Sequence, residues 1–274
     1  MKFNQLGPVG AEVSGVNLKG ITGSQIKHVK KAFLRYNVLI FRNQDLSPAE
    51  FKKVSNIWGA PTIHPVFKGM DGYPEIIEIK NFGEKYHTNA HWHSDVTFEK
   101  EPPDTTLLYS LEVPDEGGDT LFSNQHLAYE ELDNGIKTSL KGRTAEHSNL
   151  GVVLLSGGKA KDAKTVNHPI FRTHPETGKK ALYVTEAFVR SINGLSDEES
   201  RELLSKLYEQ ASKLKFIYRH KWSNKDLVVW DNRSVQHFAE HGYGDKIRNM
   251  LRITTSGSKP CLLYTSPSPR DEQS

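Results

Sequence analysis

Apolar residues fall at helical spacing in three stretches of the chain, and each stretch opens on a capping residue. Thr22 precedes a run through Ile26, Val29, Ala32 and Phe33. Ser47-Pro48 starts a second helix that should stop near Gly59. Ser196 starts a third, where Glu199 completes a capping box ahead of Leu203, Leu204 and Leu207. Between them the pattern changes to short β-rich runs bounded by turn residues, over 38–41, 75–79, 105–113, 181–185, 215–218, 227–230 and 250–254. Many short strands with a few helices predict a mainly-β protein, a sandwich or barrel with flanking helices.

At 274 residues the chain suits one large domain, read here as residues 1–260. Residues 261–274 show no periodicity and no expected partner in the fold; they resemble translated sequencing-adapter DNA and are expected to be a non-native tail. No apolar stretch is long enough for a membrane helix, and Met1-Lys2-Phe3-Asn4-Gln5 lacks the layout of a signal peptide. One cysteine, Cys261, excludes an intrachain disulfide and a thiolate zinc site. A net charge of +3 is too balanced to argue for a nucleic-acid partner. The plain expectation is a cytoplasmic protein with no membrane or nucleic-acid partner.

The sharpest local feature is Trp92-His93-Ser94-Asp95. Residues i and i+2 of an extended segment project to one side, so His93 and Asp95 can grip a single ion. One more histidine would make the 2-His-1-carboxylate triad, which leaves Fe(II) open positions for substrate and O2. His-x-Asp alone is weak evidence in a chain with 12 histidines. The candidate third ligand is His237, with His241 its competitor four residues on. Arg248 and Arg252 follow, and a separation of four keeps both guanidinium groups on one strand face. Inside an apolar barrel two arginines are costly unless anions meet them, as a dicarboxylate co-substrate and an anionic substrate would. The alternative is an exposed strand carrying solvated arginines. Gly117-Gly118-Asp119-Thr120 is a tight turn leading into a strand, with a threonine hydroxyl able to bond a carboxylate. By itself it is only a hairpin.

Taken together, these segments resemble the taurine dioxygenase (TauD/TfdA) family of Fe(II)/2-oxoglutarate oxygenases. The likeness runs from Leu6-Gly7-Pro8-Val9 to Lys259-Pro260. It takes in Phe41-Arg42-Asn43-Gln44, His64-Pro65-Val66, Trp92 to Phe98, Gly117 to Thr120, Arg172-Thr173-His174-Pro175, Trp230-Asp231-Asn232-Arg233 and Gln236-His237-Phe238-Ala239. The resemblance implies a double-stranded β-helix, the cupin-like jelly roll, with iron inside its open end. It implies His93, Asp95 and His237 as metal ligands, and Thr120 with Arg248 for the distal carboxylate of 2-oxoglutarate. Arg252 would sit close to co-substrate and substrate alike. His64, Asn89 and Phe188 match substrate-pocket positions. The implied cofactors are Fe(II), 2-oxoglutarate as co-substrate, and O2. The implied reaction hydroxylates a small anionic substrate and releases succinate and CO2; a sulfonate would then collapse to aldehyde and sulfite. A homodimer or homotetramer is expected by the same analogy.

Two departures bear on the substrate. Phe67 stands where the taurine enzymes carry a tyrosine, and a missing hydroxyl bond is worth about 1–3 kcal/mol, so taurine is disfavoured. Residues 149–167, a lid position in the family, look short and rich in Gly, Ala and Lys. The first expectation is therefore a sulfonate or sulfate ester, the second a carboxylate such as an aryloxyacetate. Rivals from other classes are a catalytically silent 2-oxoglutarate-binding sensor and a Zn(II) hydrolase; the latter has no need of paired arginines. Trp92, Trp230 and Phe98 are read as core and pocket wall rather than a stacking cage. Glu146-His147 shows no partner in the sequence and is assigned to surface or lid chemistry.

Overall fold

The strand Val38–Phe41 (β3) shows why this sequence builds layers. All four residues are buried; Val38 and Ile40 enter one apolar cluster while Leu39 and Phe41 enter another. With a side-chain period of two, such a strand must lie mid-sheet with both faces covered. Its neighbours repeat the division. In Leu227–Asp231 (β14), Leu227 and Val229 face the first cluster and Val228 and Trp230 the second. In Thr105–Glu112 (β6), Leu107 and Tyr109 oppose Leu108 in the same way.

The computed structural model describes residues 1–80 and 90–262. Its principal sheet runs β1–β2–β3–β14–β6–β16–β4, with β5 also paired to β16. Here β1 is Lys2–Gln5, β2 Ala11–Ser14, β4 Pro61–Thr62, β5 Ile77–Lys80 and β16 Asn249–Thr255. Opposite lies a three-stranded sheet, β13–β7–β15, made of Ile217–His220, Thr120–Asn124 and Val235–Ala239. The cluster between the two sheets joins Val38, Ile40, Leu108, Trp230 and Met250 to Phe122 and Val235. This is the expected jelly roll. Arg252 lies two residues from Met250 on β16, hence on the face that looks into the roll.

Helices α1 (Gly23–Tyr36) and α2 (Pro48–Ser55) cover the outer face of the large sheet through Val29, Phe33, Phe51 and Val54. Short helices α3 (Gln125–Glu130) and α4 (Asn134–Ser139) precede β8 (Thr144–Ser148). The segment then passes through α5 (Leu150–Leu155) to β9 (Thr165–Pro169), β10 (Phe171–Thr173), β11 (Lys180–Leu182) and β12 (Val189–Ile192). The long helix α6 (Asp197–Ala211) packs Leu204 and Leu207 against this second layer.

All three helices foreseen from the pattern open on the expected caps, and each carries a complete capping box. The second stops at Ser55 rather than near Gly59, because Ile57 and Trp58 donate to carbonyls three residues back and tighten the chain out of the helix. The run at 215–218 divides: Leu214–Phe216 is a 3-10 turn and the strand starts at Ile217. The run at 181–185 is strand only to Leu182. Cys261 and Leu262 do find a partner, since their carbonyls accept from the Thr173 backbone N–H and hydroxyl at 2.8 and 2.6 Å. The rest of the expected tail, 263–274, lies outside the described residues, as does Asn89.

Candidate functional site

Two backbone segments bring the metal-ligand candidates together. His93 and His237 form an antiparallel bridge in which each backbone N–H donates to the other's carbonyl, at 3.0 and 2.7 Å. Their rings consequently lie side by side, with centroids 4.1 Å apart. Asp95, two residues along, turns the same way: its Oδ1 is 3.9 Å from His93 Nε2 and 3.8 Å from His237 Nε2. All three side chains are buried, and their ligating atoms lie within 4.8 Å of one another. His241, the competitor, falls beyond the end of β15 and outside this group.

Immediately after Asp95 the chain makes a costly move. Val96 has φ +53°, a left-handed conformation that a β-branched residue adopts only when its surroundings enforce it. Thr97 and Phe98 are then buried, the latter against Phe188 at 5.2 Å.

The donor set fits a divalent cation. His93 Nδ1 bonds to the carbonyl of His91 at 2.7 Å, so Nε2 keeps its lone pair. Burial holds both imidazoles neutral, His237 down at about 3 and His93 also below its ordinary value. Burial works to raise the Asp95 carboxyl, but the nearby Arg252, His237 and His93 and a bond from Thr106 hold it well below the usual carboxylate range. Two neutral nitrogens and one carboxylate oxygen on one side of a pocket is the donor set that leaves Fe(II) open positions.

Both arginines lie inside the roll. Arg252 donates from Nη2 to Asp95 Oδ1 at 2.8 Å. Arg248 is buried and donates from Nε to the Gly118 carbonyl at 3.2 Å. Burial lowers its guanidinium below the ordinary value. Gly117 and Gly118 have φ of +77° and +72°, and a methyl group on Gly118 would lie 3.0 Å from Arg248 Cδ. The glycines thus admit both the turn and the arginine. Thr120 is buried two residues on; its hydroxyl accepts from Trp222 Nε1 at 3.0 Å, leaving its own proton for another acceptor.

His64 is half-buried, and its Nδ1 accepts the backbone N–H groups of Val66 and Phe67 at 3.1 and 3.0 Å. That fixes the tautomer with the proton on Nε2. Burial, aided by Arg252, pulls its pKa down to about 3. Phe67 is 37% exposed and stacks on His64 at 4.9 Å. Phe188 meets His93 edge-on at 6.1 Å.

Trp230 and Phe98 are core, as expected, with the Trp230 ring 4.6 Å from His237. His147 is not surface chemistry: it is fully buried, bonds Thr97 Oγ1 through Nδ1 at 2.9 Å, and packs against His168 and Tyr183. The lid position is ordered at its stem. Asn149 and Lys164 bond to each other twice, closing the loop that holds α5, and the Ser148 N–H donates to the Phe188 carbonyl at 2.8 Å. Sequence reasoning missed one group, the side chains that hold Asp95. Thr106 donates to Asp95 Oδ2 at 2.6 Å, and Asn232 donates to Thr106 at 2.8 Å. The only signal available was a threonine at the start of β6, next to another threonine, and nothing in the sequence set it apart.

Comparison with known proteins places nearly the whole chain in one family. Residues 2–254 match the family described as taurine catabolism dioxygenase TauD, TfdA family. The alkylsulfatase of Acinetobacter baylyi is 34% identical, over 92% of this chain and 83% of its own. An alpha-ketoglutarate-dependent 2,4-dichlorophenoxyacetate dioxygenase from a Burkholderia species is 36% identical, over 92% of both chains. The crystal structure of a taurine dioxygenase from Burkholderia xenovorans superposes with a TM-score of 0.84 at 32% identity, covering 97% of this chain and 95% of that one.

Proposed function

The chain belongs to the taurine dioxygenase (TauD/TfdA) family and is a non-haem Fe(II)/2-oxoglutarate-dependent dioxygenase; we propose that it hydroxylates a small anionic molecule, first a sulfonate or sulfate ester. His93, Asp95 and His237 would hold the iron. With 2-oxoglutarate and O2 that group supplies the oxidising power, turning a substrate C–H into C–OH as the co-substrate becomes succinate and CO2. Everything else falls to side chains of the roll. The Thr120 hydroxyl and Arg248 would take the distal carboxylate of 2-oxoglutarate. Arg252 and the His64 Nε2–H would take the anionic end of the substrate and so present one carbon for oxidation. Phe188 and Phe98 wall the pocket against water. A hydroxylated carbon bearing a sulfonate loses its C–S bond and the hydroxyl proton, giving aldehyde and sulfite. A sulfate ester gives aldehyde and sulfate.

The observation that carries this reading is Arg252, a cation 11% exposed beside the triad and 2.8 Å from Asp95. Asp95 takes one of its five N–H donors; an oxyanion would pair with the others and with the fixed N–H of His64, whereas an uncharged substrate would not. The test loads the protein anaerobically with Fe(II) and 2-oxoglutarate, reads the visible charge-transfer band, then admits O2 with a panel of sulfonates, sulfate esters and carboxylates. Succinate release stimulated by a sulfur oxyanion supports the proposal; a band without stimulated succinate refutes it.

A carboxylate such as an aryloxyacetate is the second reading. The identity to the dichlorophenoxyacetate enzyme favours it, as does Phe67, which offers an aromatic face and no hydroxyl. Among the described residues no helix is long and apolar enough to cross a membrane. We propose a cytoplasmic location, consistent with a single cysteine, and a homodimer or homotetramer, which light scattering would measure.

A further inference from the structure

We propose that Thr106 and Asn232 are positioning residues for the metal: they decide which oxygen of Asp95 faces the ion. The proposal rests on the reading of the triad as a divalent-metal site. A carboxylate only accepts, so the 2.6 Å bond between Thr106 and Asp95 Oδ2 commits the hydroxyl proton to that oxygen. The hydroxyl oxygen accepts in turn from Asn232 Nδ2 at 2.8 Å. The amide of Asn232 has one allowed orientation, because its Oδ1 already accepts two donors, the Asp95 backbone N–H and Trp230 Nε1, both at 3.1 Å. No bond in the relay can reverse without leaving two donors facing each other.

The frame of the relay is equally fixed. Thr106 on β6 and Trp230 on β14 are direct cross-strand partners. The Asn232 backbone N–H donates to the Asp104 carbonyl at 2.9 Å. Thr106, Asn232 and Trp230 are at most 1% exposed, so water does not compete for these bonds. With Oδ2 engaged by Thr106, the oxygen that faces His93 and His237 is Oδ1, which also accepts from Arg252 at 2.8 Å. A carboxylate free at both oxygens would be able to chelate the ion and occupy a position that the co-substrate or O2 needs. The relay therefore enforces one-oxygen ligation.

Metal-free protein titrated with Mn(II), reading the free ion by electron paramagnetic resonance, tests this without 2-oxoglutarate or substrate. Thr106→Val keeps the side-chain shape and removes the hydroxyl. Its Mn(II) affinity should fall about 10- to 100-fold, while Thr106→Ser stays within about threefold of the parent. The Fe(II)–2-oxoglutarate charge-transfer band should weaken or shift in Thr106→Val and return in Thr106→Ser. Asn232→Asp supplies an independent arm should Thr106→Val fail to fold: replacing the Nδ2 donor by an acceptor draws the Thr106 proton away from Asp95 and should weaken Mn(II) in the same way. Folded Thr106→Val or Asn232→Asp protein binding Mn(II) like the parent overturns the proposal. So does a serine variant as weak as the valine one, since packing rather than the hydroxyl would then be responsible. A parent that binds Mn(II) but releases no succinate sinks the oxygenase reading and leaves the relay standing.

Discussion

Alanine at three glycines separates three costs that meet around the proposed co-substrate arginine. Gly142, Gly118 and Gly117 all have left-handed backbones, with φ of +80°, +72° and +77°. An L side chain in that region loses about 1–2 kcal/mol. At Gly142 an added methyl meets nothing within 4 Å, so Gly142→Ala should show that strain alone. In a domain of this size it lowers Tm by roughly 2–8 °C. At Gly118 the methyl lies 3.0 Å from Arg248 Cδ and 3.1 Å from its Nε. The stability loss should be similar, because the side chain can yield by a few tenths of an ångström. The shift, however, loosens the 3.2 Å bond from Arg248 to the Gly118 carbonyl and moves the guanidinium that would meet 2-oxoglutarate. A charged hydrogen bond is worth about 1.5–3 kcal/mol, so 2-oxoglutarate should bind roughly 10- to 150-fold more weakly. At Gly117 the methyl would lie 2.7 Å from the backbone of Gly242, which cannot step aside; the total should reach about 2–5 kcal/mol. Urea unfolding ranks the three variants, and anaerobic titration of the charge-transfer band gives the 2-oxoglutarate affinity. If Gly118→Ala binds 2-oxoglutarate as tightly as Gly142→Ala, Arg248 is not the carboxylate anchor. If Gly117→Ala is no less stable than Gly142→Ala, the collision argument fails.

Arg252→Ala should keep the Fe(II)–2-oxoglutarate band but lose about 2–5 kcal/mol of substrate binding, seen as a steep rise in KM for the best panel substrate; an unchanged KM would remove Arg252 from the substrate site. Burial depresses His64 and His237 to about 3 and His126 and His168 to about 4, all below the ordinary 6.5. In that window the unfolded chain binds more protons, so this stability is complete above about pH 6.5 and drains away as pH falls toward 3–4. Urea midpoints of the metal-free protein should be flat from pH 8 to 6.5 and drop by pH 5; a drop on the alkaline side instead would contradict the assignment. Chelating the metal should lower Tm by no more than the binding linkage and leave the far-ultraviolet circular dichroism intact, because backbone bonds hold His93 to His237. A collapse of the spectrum on chelation would mean that the metal builds the site.

The parts of this molecule legible in its sequence are those whose physics is local. The capping boxes at Thr22, Ser47 and Ser196 close within four residues, and β3 and β14 are apolar enough on both faces to stand alone. Arg248 and Arg252 are both cations inside the roll as the spacing suggested, but β16 starts only at Asn249 and shifts register before Met250, so Arg248 owes its place to the Gly118 carbonyl rather than to an unbroken pleat. What stayed hidden depends on partners far along the chain. β1 is mostly exposed and β8 reads Thr-Ala-Glu-His-Ser; each is a strand only because β2 or β9 and β12 pair with it. The burial of His147 follows from that pairing and was invisible for the same reason. The bond from Asn232 to Thr106 spans 126 positions, and no tripeptide announces it.

The paired backbones of the two histidines set the conditions under which such an enzyme is made. The gap between the imidazoles belongs to the sheet, closed by bonds of 3.0 and 2.7 Å, and is finished when the chain is finished. If the metal-free chain keeps its fold in the chelation test, a cell short of iron would hold this protein assembled, and replenished iron would convert the stock to activity at the speed of ion capture rather than of synthesis. The same readiness carries a liability. A cradle that stands ready is open to any divalent ion its two nitrogens and one carboxylate suit, so occupancy follows the metal supply of the compartment as well as the donor set.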